Sequence, residues 1–352
     1  MKSAANHKID VHAHYLPPRY ADELRGAGLL YPDGMRDYPE WSPESALETY
    51  DQLGIATGML SISSPGVHYG DDAAARRLAR RVNEVGADTV AKFPTRFGLF
   101  AELPMPDLDG SLEELAYALD VLHADGIALK TNAGGIYLGD WRFDPIFDEL
   151  NHRKALVFIH PTSPCCWKDC AMGYPRSMLE FPFDTTRAVT NLIFSGTLER
   201  CPDIRIIVPH NGGALPMLAE RITRAGSALP LAPAYREEAI SYLRRLYYDT
   251  ASAASNHTLS SLLQISDSSH IVYGSDSPWA PEAAVLSTNH RLETSKYFSD
   301  KDRERIYRNN ALRLVARLAS LTEARQDMPL VGSYSATPPS GPSSLKQSHT
   351  KN

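Results

Sequence analysis

The chain has 352 residues, 43% of them hydrophobic, which is enough to bury one large core, so a single catalytic domain with decorations is the first expectation. Its formal net charge is −6, from 36 basic and 42 acidic residues, and no block of Lys or Arg long enough to track a phosphate backbone occurs, which argues against nucleic acid as a partner. The opening MKSAANHKID has no apolar leader region and no stretch approaches the roughly 18 apolar residues of a membrane span, so a soluble, cytosolic protein without membrane contact is expected.

Short apolar, β-branched runs recur along the chain and read as strands at 8–12 (KIDVH), 55–62, 96–102, 126–130, 155–160 (ALVFIH), 204–210 (IRIIVPH), 246–250 (LYYDT) and 270–276 (HIVYGSD). Segments of helical periodicity separate them, at 42–54, 72–88, 112–125, 144–154, 185–201, 215–227, 255–267 and 300–320. Ser42 before Pro43 reads as an N-cap with proline in the first turn. Eight strands alternating with helices predict an α/β fold, a (β/α)8 TIM barrel over 1–325, with a doubly wound sheet as the lesser possibility. Two stretches break the repeat. Residues 17–41, rich in Pro, Gly and aromatics, read as an insertion over the barrel mouth, either a lid or a packed structural excursion. Residues 326–352 are Ser/Pro-rich and read as a disordered tail. The four cysteines, Cys165, Cys166, Cys170 and Cys201, are too few and too clustered for a disulfide framework and read as free thiols. CCWKDC has no second Cys/His pair at zinc-ribbon spacing.

Barrel active sites are built at the C-terminal ends of the strands, and the polar residues there form a consistent set. His12 and His14 follow strand one, His160 strand five, His210 strand six and Asp276 strand eight. Residues i and i+2 of an extended segment share a face, so His12 and His14 can both reach one ion. Each position also has an ordinary reading: a wet turn for His12 and His14, a satisfied core histidine for His160, a helix cap for Asp276. His210 is followed by two glycines, which permit close backbone approach. Co-location of all five at strand ends of one barrel favours a metal site, and three imidazoles with one carboxylate suit Zn2+ or a similar divalent ion.

The segments IDVHAHYLP, FIHPTSP, FPFDTTRAVTNLIFSGTLERCPDIRIIVPHNGGALP and VYGSDSPW resemble the amidohydrolase-related decarboxylases typified by aminocarboxymuconate semialdehyde decarboxylase, over residues 8 to 318. The segment 41–84 and GGIYLGD are most similar to the fungal 6-methylsalicylate decarboxylase branch, which serves polyketide secondary metabolism of the patulin type. The resemblance implies that His12, His14, His160 and Asp276 ligate zinc or manganese and that His210 is a catalytic histidine. It also implies non-oxidative decarboxylation of a small aromatic carboxylic acid with no organic cofactor, in a homodimer or higher homo-oligomer. Protonating the ring carbon before CO2 leaves avoids an undelocalised aryl carbanion, and Asp276 is the first candidate donor with His210 assisting, or the two roles exchanged.

Asp249, ending LYYDT, is a candidate partner for a ligand histidine or a helix cap. Arg187 reads as facing a substrate carboxylate or, more simply, as an exposed helical arginine. Trp41, Tyr137 and Trp279 are candidates to pack on an aromatic ring. The arginine that semialdehyde decarboxylases carry shortly before the equivalent of Trp41 has no counterpart in GMRDYPEW, which argues against an aminocarboxymuconate substrate. Lys130 ends strand four, where binuclear amidohydrolases carry a carboxylated lysine, so hydrolysis of an ester, lactone or amide is the alternative activity. A degenerate barrel used as a binding scaffold would be expected to lack ligands, and all five positions are present here.

Overall fold

The computed structural model describes residues 7–228, 238–252 and 254–326. Eight parallel strands follow one another around a single sheet: β1 (Lys8–His14), β2 (Ile55–Ser61), β3 (Phe97–Glu102), β4 (Gly126–Lys130), β5 (Leu156–His160), β6 (Arg205–Val208), β7 (Tyr247–Asp249) and β8 (Ile271–Val272). Beyond β8 the chain returns to β1, where Val11 N donates to Tyr273 O at 2.9 Å and Ala13 bridges Ser277, so the sheet closes into a (β/α)8 barrel. The strands are near-continuous apolar runs because both faces are covered.

Alternate residues of these strands separate into two buried clusters. Phe97, Leu99, Ala101, Val157 and Ile159 face the surrounding helices. Met59, Phe100, Ala128, Phe158, Ile207 and Val272 pack together instead, and Leu314, Val315 and Leu318 from the C-terminal segment pack on them. That packing fills the barrel interior and leaves the C-terminal ends of the strands open for chemistry.

All eight expected strands are present: the first runs two residues further than expected, the fourth matches at both ends, and the other six are shorter. Ser42 caps the helix Pro43–Leu53 with a reciprocal bond to Ser45. The helix expected to begin at 185 instead begins at Arg176 and runs to Phe194, with Pro182 inside it. Four α-helices among the described residues went unread in the sequence: Tyr20–Gly26, Trp167–Cys170, Ala239–Arg245 and Glu282–Thr294. The 17–41 insertion contains the first of these and a tight turn, Pro32–Gly34, and it brings Pro32, Asp33 and Met35 to the barrel mouth. Of the tail expected over 326–352, Gln326 ends the helix Ala316–Gln326 and the remainder lies outside the described residues. Among the described residues no helix is long and apolar enough to cross a membrane.

Candidate metal centre and active site

Every strand of the barrel ends at the same face, and the closing residues there are polar: His14, Ser61, Glu102, Lys130, His160 and Asp249 end β1 to β5 and β7. His210 lies two residues past β6 and Asp276 four past β8. One ligand atom each from His12, His14, His160 and Asp276 fall within 4.8 Å of one another. His12 and His14 are fully buried and His160 is 2% exposed. His12 Nε2 and His14 Nε2 approach Asp276 Oδ1 at 3.4 and 3.3 Å. No other group of three or more potential ligands occurs among the described residues.

The other nitrogen of each imidazole is engaged. His12 Nδ1 lies 2.7 Å from Asp249 Oδ2, His14 Nδ1 lies 3.1 Å from the Ser61 carbonyl, and His160 Nδ1 lies 2.7 Å from the Pro161 carbonyl. Each partner is an acceptor, so each Nδ1 carries the proton and each Nε2 keeps its lone pair for the centre. The Nε2 atoms of His12 and His14 are buried with no hydrogen-bond partner. An unsatisfied buried lone pair is costly unless something sits opposite it, and a cation is what two of them beside a carboxylate would accept.

The electrostatics fit the same conclusion. Burial pushes the imidazoles of His14 and His160 down, toward the neutral form that a ligand needs. Burial opposes charge on His12 too, but Asp249 and Asp276 on either side prevail and raise its pKa to about 10. A positive charge is therefore wanted at that point, and a divalent ion between the Nε2 atoms would supply it in place of the proton. For Asp276 burial favours the neutral acid, yet the charge of His12 and the closeness of His14 and His210 hold its carboxyl well below the usual range.

The loops carrying His210 and Asp276 are held in unusual backbone conformations. His210, Asn211 and Asp276 all have left-handed φ, at 55°, 54° and 64°. Such residues cost about 1–3 kcal/mol each and persist only where the surroundings fix them. Here Asp249 Oδ1 accepts from His210 N at 2.8 Å, and His12 O accepts from Asp276 N at 2.8 Å. Gly213 (φ +60°) allows the turn to touch its neighbour, since a Cβ there would stand 2.4 Å from Pro182 O. Asp249 thus joins the loops of His12 and His210 through hydrogen bonds to both.

A cavity of about 640 Å³ opens above this cluster, lined by His160, His210 and Asp276 at its base. His210 Nε2 stands 3.6 Å from Asp276 Oδ2. The wall is largely apolar, with Met35, Phe181, Pro182 and Trp279 among its members. Trp41 and Tyr137 are not part of it: Trp41 packs edge-on against Tyr15 and Tyr137 donates to Asp184. Arg187 is also outside, an exposed helical residue beside Asp184. Lys130 faces a neighbouring cavity, where its ammonium bonds the buried Glu102 carboxylate at 2.6 Å. Sequence reasoning missed Ser61 and the Pro161 carbonyl; Ser61, as a polar strand end, carried the signal that found the histidines. The cysteines are free and take no part in the cluster.

A closed parallel barrel with three imidazoles and a carboxylate gathered at its strand ends defines a metal-dependent enzyme of the amidohydrolase type. The chain belongs to the amidohydrolase family, whose model, described as Amidohydrolase, matches residues 9–317. A decarboxylase of Aspergillus niger is 35% identical over 332 residues, 90% of this chain and 90% of that protein. The 6-methylsalicylic acid decarboxylase of Aspergillus aculeatus is 38% identical, over 88% of this chain and 96% of the relative. Among solved structures, Amidohydrolase II superimposes with a TM-score of 0.83 at 31% identity, covering 88% of this chain and 99% of the other.

Proposed function

We propose that this protein is a metal-dependent, non-oxidative carboxy-lyase acting on an ortho-hydroxy aromatic acid, converting 6-methylsalicylate to m-cresol and CO2 in fungal polyketide metabolism. The observation that carries the reading is the convergence of His12, His14, His160 and Asp276 within 4.8 Å at the base of a largely apolar cavity. The two fungal decarboxylase relatives support the reaction, and the name of one supports the substrate. Three nitrogen donors and one oxygen favour zinc, with manganese second. Exposed Met172, Tyr174, Met178 and Met217 support a homodimer or higher homo-oligomer, and free thiols support a cytosolic location. The folded catalytic unit in this reading is 1–325, with 326–352 as its tail.

The ion, held by His12, His14, His160 and Asp276, would supply positive charge for the carboxylate and ortho oxygen of the substrate. The remaining work falls to the chain. The apolar wall of Met35, Phe181 and Trp279 seats the ring and excludes water. Asp276 Oδ2 and His210 Nε2, 3.6 Å apart, both line the cavity, Asp276 as the first candidate to carry the proton and His210 to assist it, or the two roles exchanged. That proton is delivered to the ring carbon bearing the carboxylate, forming a C–H bond. The C–C bond to the carboxylate then breaks, its electron pair returns to the ring, and CO2 departs.

The test is anaerobic incubation with 6-methylsalicylate in deuterated water, following CO2 and m-cresol, with salicylate, 2,6-dihydroxybenzoate and 5-carboxyvanillate as comparators. Deuterium is expected at the former carboxyl position, and Asp276→Asn and His210→Asn are each expected to lower kcat by about a hundredfold or more. No CO2 from any of the four acids rejects the decarboxylase reading, and near-native turnover by either variant rejects that residue's role.

A further inference from the structure

Asp184 is fully buried in the middle of the helix Arg176–Phe194 and takes no part in the metal centre. Three donors converge on its carboxylate: the Thr131 hydroxyl and Asn132 Nδ2 (2.9 Å) on Oδ2, and the Tyr137 hydroxyl (2.6 Å) on Oδ1. All three come from the segment just past β4. Arg187 stands 3.7 Å away at the surface. An apolar side chain would pack this helix at no desolvation cost, so a buried charge met by three neutral donors is a poor device for stability alone. What it does supply is a fixed position of the helix against the end of β4.

The consequences of that position reach the cavity from two sides. One turn before Asp184, Phe181 and Pro182 of the same helix form part of the cavity wall, with Ser177 and Met178 further toward its start. In the other direction, Thr131 Oγ1, having donated to Asp184, accepts from Thr162 N at 3.1 Å. Thr162 lies two residues past His160, and its hydroxyl meets Ser64 Oγ at 2.8 Å, where Ser64 also lines the cavity. A single hydrogen-bonded run therefore ties one buried carboxylate to two walls of the substrate cavity.

The geometry points to Asp184 as a positioning residue that sets the seat of the aromatic acid, acting through Phe181 and Pro182 on one side and the Thr131–Thr162–Ser64 run on the other. This rests on the substrate reading given above. Asp184→Asn removes the charge and replaces one acceptor oxygen by an N–H donor, so at least one of the three bonds is broken or reversed. It should raise KM for 6-methylsalicylate by about tenfold or more while kcat stays within about threefold of wild type, the signature of lost uniform binding. Metal content, read by elemental analysis, should equal that of wild type. Unchanged KM with only a lower melting temperature overturns the proposal, and so does loss of metal, which would make Asp184 a support of His160. If Asp184→Asn does not fold, Tyr137→Phe and Thr131→Val replace it: a larger KM rise in Thr131→Val, which cuts both arms of the run, upholds the proposal, and wild-type KM in both overturns it. Absence of turnover by the wild-type protein refutes the substrate reading instead, which keeps the two failures apart.

Discussion

Asp249 bonds His12 and His210 beside the candidate metal centre without belonging to it. Its two oxygens accept from His12 Nδ1 (2.7 Å), His210 N (2.8 Å) and Ala251 N (2.9 Å), so one carboxylate fixes the tautomer of His12 and the backbone of His210 together. In Asp249→Asn the amide N–H would face His12 Nδ1 and favour the other tautomer, which places the proton on the nitrogen aimed at the ion. Metal affinity should fall by about 10–100-fold, the usual effect of removing such a partner. Competition against a chromophoric chelator measures it, and an unchanged dissociation constant would reject the orienting role. At this scale the sequence was informative wherever a polar residue ended an apolar run: His14, His160 and Asp249 are such ends, and Lys130 is too, though its ammonium is taken up by Glu102. It was uninformative about acceptors drawn from the backbone, such as the Pro161 carbonyl, because every residue carries one and only the folded loop selects among them. Asp184 was illegible for a related reason. Its three partners lie at least 47 residues away in the chain, and within its own helix it reads as an ordinary polar residue.

The elements that place these residues were legible in unequal measure. All eight strands were, because burial on both faces gives them continuous apolar runs that stand out from the amphipathic helices. The helix Arg176–Phe194 was read nine residues short, starting at 185, because Pro182 inside it looks like a boundary. The helix tolerates it, and the Pro182 carbonyl accepts from the Thr186 hydroxyl at 2.8 Å. That same hydroxyl accepts from Ala214 N at 3.0 Å, which pins the helix to the turn carrying His210. Gly213 is what lets the two come so close. Gly213→Ala would drive a methyl into the Pro182 carbonyl at a backbone conformation with left-handed φ, and neither side is a flexible side chain that can yield. A loss of about 1–3 kcal/mol is expected, read as a lower urea midpoint with unchanged slope, along with reduced turnover as His210 shifts. An unchanged midpoint would mean that the helix and the turn are free to separate. The paired glycines of VPHNGGALP signalled this close approach in the sequence; the partner they approach did not show.

At the scale of the whole molecule, the candidate metal centre of His12, His14, His160 and Asp276 sits on the seam of the barrel. β8 is only two residues long, and the closure against β1 continues past it through a few bonds: Val11 N to Tyr273 O (2.9 Å), Asp276 N to His12 O (2.8 Å) and His14 N to Ser277 O (2.8 Å). His12 and His14 lie on one side of that seam, Asp276 on the other, and His160 reaches across from β5. An ion bound to all four would join the first strand, the last and one from the far side of the barrel, so its binding energy is also energy of closure. Sequence periodicity predicts the eight strands but not this dependence, since the seam joins the two ends of the repeat. Holding free metal at about a hundred times its dissociation constant stabilises the folded state by about 2.7 kcal/mol. At about 1.5 °C per kcal/mol for a chain of this size, chelation should lower the melting temperature by about 4 °C, and reloading with zinc should restore it. Calorimetry of the stripped and reloaded protein reads the shift, and hydrogen exchange locates it. Protection should fall first at Val11, His14 and Asp276. An equal melting temperature after demonstrated metal loss, or a loss of protection confined to distant helices, would separate the ion from barrel closure.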